Sequence, residues 1–347
     1  MGKLDMNRRE FIEYAALVGA ATCGVALSGC ASDQAKVADS AQGNGEPQSN
    51  ESSGSAGQTS SSTPVVFFSS TVSPESLMAV YEALGRELEG KVAVKVSTGE
   101  PGGHNFLDPS LIADLVSEVQ GTIVECNTAY SGPRANTESH LKAAADHGFT
   151  DVAEVEIMDA DGDVALPVPN GAHLSENYVG KGLMDYDAVV NLAHFKGHAM
   201  AGFGGVIKNS SIGIASSRGK SWIHSAGTKM SGFGGASQDD FLESMGEAAK
   251  SVADHFGDNI VYIDVMNNLS VDCDCDSHPA EPEIADIGIL GSLDPVALDR
   301  ACVDLIYAAE GSESLRERME SRNGLHTLEY AEAIGLGTQR YELVELG

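Results

Sequence analysis

The chain has 347 residues, of which 51 are acidic and 21 are basic, so its formal net charge is −30. A protein of that sign repels the phosphates of nucleic acids, and we expect no nucleic-acid partner. Six cysteines are too few for a disulfide scaffold at this length. The composition therefore favours a folded domain that buries a sizeable core.

The first 30 residues have the pattern of an export signal. Arg8 and Arg9 form a twin-arginine motif, an apolar run over residues 14–27 follows, and the sequence Leu-Ser-Gly-Cys that ends at Cys30 resembles a bacterial lipobox. The apolar run is too short, and too rich in Ala and Gly, for a membrane span. We therefore predict export by the twin-arginine machinery and lipidation of Cys30. The mature protein would be anchored to the outer face of the cell membrane or to the periplasmic side of an envelope membrane.

Residues 31–63 consist mostly of Ser, Gly, Gln, Asn, Asp and Ala. Such a composition cannot bury enough apolar surface to fold, so it predicts a disordered tether. Residues 64–347 remain, a length that a single α/β domain can reach.

Short apolar strands alternate with capped helices in the first part of this domain. In chain order, we predict strands over residues 65–69, 91–97 and 122–125 and helices over residues 74–89, 109–120 and 137–147. Further strands are predicted over residues 155–158, 164–168, 188–193, 259–265, 284–290 and 341–344, and further helices over residues 238–256, 295–309 and onward to 334. Asp294 is the predicted N-cap of one of these helices.

This order predicts a doubly wound, mostly parallel sheet with helices on both faces. Ligands of such sheets bind beyond the carboxyl ends of the strands. The loops over residues 98–108 and 126–136 lie there, and so does the segment that follows the strand over residues 188–193.

The stretch from His194 to His224 has an unusual composition. It contains three of the ten histidines and the only tryptophan. Gly202, Gly204 and Gly205 allow the backbone to bend tightly or to approach a ligand closely, and their N–H groups could bind an anion. This mixture is typical of a binding loop rather than of a core segment.

Within and near this stretch, we identify candidate catalytic residues. His198 and His224 could act as a general acid or base or as metal ligands, and Lys208 could bind an anion or a cofactor covalently. A small anionic substrate would lie on Lys208, Lys196 and Arg134 while His198 moves a proton. The alternative is that each of these residues has only a capping or surface role.

A second constellation lies further along the chain. Cys273 and Cys275 are two residues apart, with His278 three residues beyond, a spacing that could hold zinc or a softer metal. Cys126 and Cys302 are available to complete the ligand set. A disulfide between the near neighbours, or free thiols in a loop, are the alternatives.

Several motifs together resemble the bacterial and archaeal DUF362 family. They are His194-x-Lys196-Gly-His198, Gly204-Gly-x-x-Lys208-Asn209, Asn127-Thr-x-Tyr130 with Arg134, Asp272-Cys-Asp-Cys275 and Ser292-Leu-Asp294-Pro295. Many members of that family carry an appended ferredoxin domain with iron–sulfur clusters, which implies redox partner proteins. This chain lacks the Cys-x-x-Cys-x-x-Cys runs of that module.

The segment from His198 to Lys208 is also similar to a loop of the nickel-pincer lactate racemases. That resemblance implies that His198 is an acid or base, that Lys208 holds the cofactor covalently and that His224 binds its metal. Gly202, Gly204, Gly205 and Asn209 would then surround the cofactor. The second catalytic histidine of that family has no matching context in this sequence.

Two classes of function follow. The first is an exported, membrane-tethered enzyme that depends on a cofactor or metal and transfers a proton or hydride on a small anionic organic substrate. The second is a lipoprotein without turnover, which either binds a metal or iron–sulfur group through Cys273 and Cys275 or captures a ligand. The sequence leaves nickel, zinc and iron–sulfur open as the metal.

Overall fold

The computed structural model describes residues 63–347. The predicted export signal, Cys30 and the predicted tether up to residue 62 lie outside the described residues. Between residues 63 and 347, no helix combines the length and the apolar character that a membrane span requires.

Twelve strands are found in this part of the chain. They are β1 (Val65–Ser69), β2 (Val92–Lys95), β3 (Thr122–Glu125), β4 (Val155–Ile157), β5 (Asp163–Pro167), β6 (Glu176–Gly180), β7 (Ala188–His194), β8 (Lys196–His198), β9 (Gly202–Gly204), β10 (Ile260–Met266), β11 (Gly288–Ser292) and β12 (Glu342–Glu345). Eight of them form one sheet in the order β12-β1-β11-β10-β7-β2-β3-β4. Only β11 runs antiparallel to its neighbours in this sheet, which confirms the predicted mostly parallel α/β fold.

The predicted helices are found in the predicted order. The helices are α1 (Pro74–Ala83), α2 (Pro109–Glu118), α3 (Thr137–Asp146), α4 (Val206–Lys208), α5 (Ser217–His224), α6 (Gln238–Phe256), α7 (Pro295–Ala308), α8 (Glu313–Ser321) and α9 (His326–Ala333), and a π-helical turn (Asn209–Gly213) continues α4. Of these, α4 and α5 are additional to the prediction. Asp294 caps α7 by accepting hydrogen bonds from Val296 N and Ala297 N, both at 2.9 Å, as predicted.

Both faces of the sheet are covered by helices. Val92 and Val94 of β2 pack in the layer that contains residues of α1, α2 and α3. Ala93 points to the opposite layer, which contains residues of α6, α7, α8 and α9. Because side chains alternate along a strand, a sheet buried on both sides needs the continuous apolar runs that the sequence shows.

Some predicted boundaries were wrong. α1 ends at Ala83, because Gly85 adopts a φ of +60° that a helix cannot continue through. The strand predicted over residues 284–290 begins only at Gly288, because Asp286 Oδ1 instead accepts a hydrogen bond of 2.9 Å from the backbone of Asn268. A Cβ atom at Gly288 would lie 2.1 Å from the carbonyl oxygen of Ser69, so glycine permits the close approach of β11 to β1.

The stretch from His194 to His224 is also more ordered than a loop. It forms the hairpin β8–β9, then α4 with its π-helical turn, and then α5. These elements lie beyond the end of β7, next to the ends of β2 and β3, and they define the site described below.

Candidate functional site

A cavity of about 460 Å³ lies at the carboxyl ends of β2, β3 and β7. Its wall contains His198, Lys208 and His224, and also Cys273 and Cys275. The fold therefore brings together the two constellations that are far apart in the sequence. A cavity of this volume is in the range that holds a small organic ligand.

The wall of the cavity is rich in positive charge. Its charged residues are Lys95, Arg134, Lys196, Lys208, Lys220 and a single carboxylate, Glu125. In a chain whose net charge is −30, this concentration of cations forms a local site for an anion.

Two of these cations are already paired inside the protein. Arg134 Nε lies 3.1 Å from Glu100 Oε1, and its Nη1 lies 3.4 Å from Glu125 Oε1. Lys196 Nζ lies 2.6 Å from Asp274 Oδ2. Burial favours a lower pKa for Lys196, but the charge of Asp274 outweighs burial and raises it. Arg134 and Lys196 both line the cavity, but each already has a carboxylate partner, so their binding of a substrate anion stays a prediction.

Asp274 attaches the cysteine loop to the end of β7. Its Oδ1 lies 2.9 Å from His194 Nδ1, and the other ring nitrogen of His194 lies 2.7 Å from the carbonyl oxygen of Asn267. Burial favours a raised pKa for Asp274, but the charges of Lys196 and His194 prevail and hold it well below its ordinary value. The buried carboxylate of Asp274 thus fixes the positions of its two chain neighbours, Cys273 and Cys275.

The cysteine pair lies against His198. The sulfur atoms of Cys273 and Cys275 and a ring nitrogen of His198 all lie within 4.8 Å of one another. The backbone N–H of Cys275 donates to Cys273 Sγ at 3.3 Å. A hydrogen bond from the Cys275 thiol lowers the pKa of Cys273 well below its ordinary value against the effect of burial, and Lys208 and His198 lower it further. The lowered pKa of Cys273 favours its thiolate form, and the raised pKa of Cys275 favours the protonated form of Cys275.

The other two cysteines do not join this cluster, although the sequence made them available as ligands. Cys126 Sγ donates to the carbonyl oxygen of Ile214 at 3.2 Å, and burial raises its pKa to about 12. Cys302 packs against Asp264, at 3.6 Å from its carboxylate, and burial raises its pKa as well. All four cysteines of the described chain are free thiols, so no disulfide joins the near neighbours.

His278 lies away from the cavity. Its side chain is exposed, and its Nδ1 lies 2.9 Å from Ser277 Oγ. The prediction that His278 completes a ligand set with the cysteines is therefore not supported, because His198 occupies that place.

The hairpin β8–β9 fixes which ring nitrogen of His198 carries the proton. Its Nδ1 accepts hydrogen bonds from the backbone N–H groups of Ala201 at 2.9 Å and Met200 at 3.2 Å. A neutral imidazole that accepts at Nδ1 carries its proton on Nε2. Burial, and then the charge of Lys208, lower the pKa of His198, which keeps the ring neutral. His198 therefore presents an N–H donor to the cysteine cluster.

The helix α5 gives His224 the opposite polarity. Its Nδ1 donates to the carbonyl oxygen of Lys220 at 2.7 Å. The ring stacks on Phe241, with centroids 4.7 Å apart, and meets the edge of Phe233 at 4.8 Å. Burial lowers the pKa of His224 to about 3, so the ring is neutral and Nε2 keeps its lone pair. A ring whose other nitrogen donates to a carbonyl oxygen is the usual state of a metal-ligating histidine.

The buried carboxylate of Asp299 positions the helix α4, which carries Lys208. Asp299 accepts hydrogen bonds from Val206 N at 2.8 Å and Ile207 N at 3.1 Å and so caps α4. A Cβ atom on Gly205 would lie 2.3 Å from Asp299 Oδ1, so only glycine leaves room for this cap. The Lys208 ammonium makes no hydrogen bond or ion pair with any residue between 63 and 347, and it is only partly buried.

The residues predicted to surround a cofactor have different positions. Gly204, Gly205 and Asn209 line the cavity. Asn209 Nδ2 donates to the carbonyl oxygen of Lys95 at 3.0 Å, which ties the π-helical turn to the end of β2. Gly202 does not line the cavity: its φ is +83°, and a Cβ atom there would lie 3.0 Å from Gly324 Cα. It serves the packing of the hairpin.

Sequence reasoning did not identify Lys95, and it assigned Lys220 no role of its own within the stretch from His194 to His224. Both line the cavity, and their relative exposures are only 2% and 8%. One signal was present, since Lys95 is a charged residue inside an otherwise apolar strand that ends at the ligand-binding edge. Lys220 carried no comparable signal, because its neighbours in α5 are polar.

The side chains of the cavity can be tested against the predicted groups. A metal bound by Cys273, Cys275 and His198 needs the imidazole lone pair at Nε2, but the backbone N–H groups on Nδ1 place a proton there. The cluster in this form offers sulfur ligands alone. Lys208 and His224 fit better to a cofactor attached through an amine and ligated by an imidazole, because the lysine is unpaired and the imidazole presents a lone pair.

Comparisons with known proteins give a family and two distant structures. Residues 92–304, more than half of the chain, match the family model described as a domain of unknown function, DUF362. The lactate racemase apoprotein from Thermoanaerobacterium thermosaccharolyticum is similar at 16% identity and a TM-score of 0.36, over 57% of this chain and 50% of that one. A protein from Thermotoga maritima is similar at 15% identity and a TM-score of 0.37, over 75% of this chain and 58% of that one. The chain thus corresponds to between 50% and 58% of the length of these two proteins. No curated protein matches the sequence.

Proposed function

Since the chain belongs to the DUF362 family, as its motifs predicted, we propose that it is an enzyme that transfers a proton or hydride on a small anionic organic substrate inside the cavity. The observation that carries this proposal is that His198, Lys208, His224 and Cys273 all line one cation-rich cavity. Chemically active side chains with shifted pKa values in a shared cavity are the usual mark of an active site.

The geometry divides the proton chemistry between two residues. His198 presents its Nε2–H, so it acts as a donor towards a substrate oxygen. Cys273 is a thiolate and accepts the proton taken from the substrate, forming its S–H bond as the substrate X–H bond breaks. Of the two predicted roles of His198, general acid or general base, this proposal takes the acid, because backbone N–H groups occupy Nδ1.

Lys208 and His224 are the residues that would hold a cofactor, through the amine and through Nε2. Such a group would supply a hydride acceptor. Asp299 positions Lys208 for it, and the rings of Phe233 and Phe241 keep His224 neutral and ready to bind a metal.

We also propose that the enzyme works outside the cytoplasmic membrane, attached through a lipid on Cys30. The twin-arginine motif and the lipobox support this placement. Metabolic labelling with a radioactive fatty acid tests it: wild-type protein incorporates label and Cys30→Ser does not.

Deuterium exchange tests the proposed reaction. Full-length protein is purified without oxygen from its own host and incubated in D₂O with a panel of small hydroxy and keto acids, and NMR detects incorporation at carbon. We expect exchange with at least one acid, and rates about 100-fold lower in His198→Gln and Cys273→Ser. His255→Gln is the matched control, because His255 is an exposed histidine on α6. Exchange that persists in both cavity variants would contradict the proposal.

The distances around the cysteines favour one alternative, a metal-binding protein without turnover. Cys273, Cys275 and His198 could enclose a soft ion if the His198 ring turned over. Zinc or iron that disappears in Cys273→Ser and Cys275→Ser, in protein that exchanges no substrate proton, would favour this alternative.

A further inference from the structure

The end of the cavity between β2 and α5 contains two buried ammonium groups. Lys95 Nζ donates to the carbonyl oxygen of Val96 and to Asn209 Oδ1 at 3.1 Å. Lys220 Nζ donates to the carbonyl oxygen of Ala215 at 2.6 Å. An ammonium has three N–H donors, so one donor of Lys95 and two of Lys220 have no acceptor among the described residues.

No carboxylate of residues 63–347 lies within 4 Å of either ammonium. Glu125 is the acidic residue of the cavity wall, but its Oε1 accepts from the backbone of Thr98 and from Arg134 Nη1, and its Oε2 lies 3.6 Å from His140 Nε2. The negative charge of Glu125 is therefore compensated mainly by Arg134, with which it forms an ion pair. Burying a charge without a partner costs several kcal/mol, and burial lowers the pKa of both Lys95 and Lys220.

The two ammonium groups enter the cavity wall from different elements than the residues of the proposed chemistry. Lys95 ends β2 and Lys220 lies on α5, whereas His198 lies on the hairpin β8–β9 and Cys273 in the loop after β10. Lys220 is among the charges that act on Lys95, so the two ammonium groups face the same part of the cavity. A ligand that reaches from the lysines to His198 would therefore contact both parts of the wall.

We infer that the Lys95–Lys220 end is a subsite for a dianionic group of the phosphate-monoester class, carried by the molecule whose other end lies at His198 and Cys273. The inference rests on the proposed function in that it extends the small anionic ligand by a second anionic group. Two ammonium groups without a carboxylate partner match the two negative charges of a phosphoryl group, and lysine binds phosphate as a point charge. A carboxylate would neutralise only one of them.

Direct binding tests the subsite without any turnover. Full-length protein from a heterologous host is titrated calorimetrically with methyl phosphate and with acetate at equal ionic strength. We expect methyl phosphate to bind and acetate to bind at least about 10-fold more weakly. Lys95→Met and Lys220→Met should each weaken methyl phosphate by about 10- to 100-fold, the size of a lost charge-assisted hydrogen bond. Lys142→Met is the matched control, because Lys142 is exposed and pairs with Asp146.

A second measurement needs no variant. Reductive methylation followed by mass spectrometry should modify Lys95 in the wild-type protein, and methyl phosphate should protect it. If methyl phosphate protects Lys95 but the protein catalyses no deuterium exchange, the subsite is supported and the proposed reaction is rejected. Failure of the subsite can thus be told apart from failure of the proposed function.

Three results would overturn the inference: equal affinity for acetate, unchanged affinity in both folded lysine variants, or no protection of Lys95. Protein from the native host that no longer binds methyl phosphate would support the subsite and assign the phosphate to a resident cofactor. Binding in both preparations would assign it to the substrate.

Discussion

The hairpin β8–β9 and the helix α5 each place one histidine in the same cavity, with opposite hydrogen-bond polarity. The turn of the hairpin directs backbone N–H groups at His198 Nδ1, whereas α5 directs the carbonyl oxygen of Lys220 at His224 Nδ1. Both rings are buried and both have a lowered pKa. The comparison teaches that the local backbone, and not burial, separates a proton donor from a metal ligand here.

The largest effect on stability should come from removing the charge of Asp274, which pairs with Lys196 of the hairpin β8–β9. Asp274→Asn leaves the buried Lys196 ammonium without its partner, so we expect a loss of about 3–5 kcal/mol in the free energy of unfolding at pH 7. Urea denaturation measures it. Because the folded pKa of Asp274 is depressed, this stabilisation is present above the unfolded value near 4 and is lost as the pH falls below it.

Asp146→Asn is the control for this change, since its pair with Lys142 is exposed and should contribute less than about 1 kcal/mol. Equal effects of the two substitutions would show that Asp274 does not hold the cysteine loop. It would also remove the physical basis for the position of Cys273.

The second test separates the two histidines directly. His224→Ala should reduce the metal or cofactor content of protein from its own host about 100-fold or more, since even an indirect partner of a metal ligand contributes 10- to 100-fold. His198→Ala should leave that content unchanged. Elemental analysis and intact mass of the peptide with Lys208 measure both. A metal that depends on His198 and not on His224 would reverse the assignment of roles.

The third test concerns the thiolate beside His198. Cys273 should react with iodoacetamide about 10-fold faster than an ordinary buried thiol, because only the thiolate is nucleophilic. Its lowered pKa should keep the rate nearly constant from pH 8 down to pH 6, whereas a normal thiol slows over that interval. Cys273→Ser should remove the fast reaction, and Cys126→Ser should retain it. A fast reaction that survives in Cys273→Ser would place the thiolate elsewhere.

The smallest effect on stability should come from Asp264→Asn. Asp264 lies near Asp299, which caps α4, the helix that connects the segments with the two histidines. Burial raises the pKa of Asp264 well above its ordinary value, and that of Asp299 to about 6. The raised pKa of Asp264 therefore favours its protonated form beside Asp299. A raised folded pKa lowers stability progressively as the pH rises above the unfolded value near 4. Asp264→Asn avoids this cost and should be more stable than wild type at pH 8 by on the order of 1 kcal/mol.

The difference should shrink as the pH falls to 4, where about half of the unfolded chains already carry the proton. Thermal denaturation at both pH values measures the difference. A variant that is less stable at pH 8 would show that Asp264 is ionised and that Asp299 does not depend on its proton.

Much of the sheet could be predicted from the sequence because helix-length connections return each strand parallel to the last. The reversal of β11 could not, because residues 267–287 connect β10 to β11 without a helix, and their turns depend on contacts such as that between Asp286 and Asn268. The hairpin β8–β9 was hidden because its strands are three residues long and contain glycine.

The site divides in the same way. His198, Lys208 and His224 could be identified together because one stretch contains them. Their hydrogen-bond polarity depends on backbone groups that no spacing reveals. The position of His198 beside Cys273 arises only when the loop after β10 folds back on the hairpin, which requires Gly197, since a Cβ atom there would lie 2.1 Å from the carbonyl oxygen of Val271.

The direction of β1 determines where the chain upstream of residue 63 joins the domain. β1 runs parallel to β12 and antiparallel to β11, so Val65 enters the sheet at the amino ends of the parallel strands. The cavity lies at their carboxyl ends, about one strand length away, roughly 20 Å for the seven residues of β7. Any anchor upstream of residue 63 is therefore joined to the pole of the domain opposite the cavity. If Cys30 carries a lipid, the predicted tether over residues 31–63 joins the domain at this pole, so the attachment point does not obstruct the cavity.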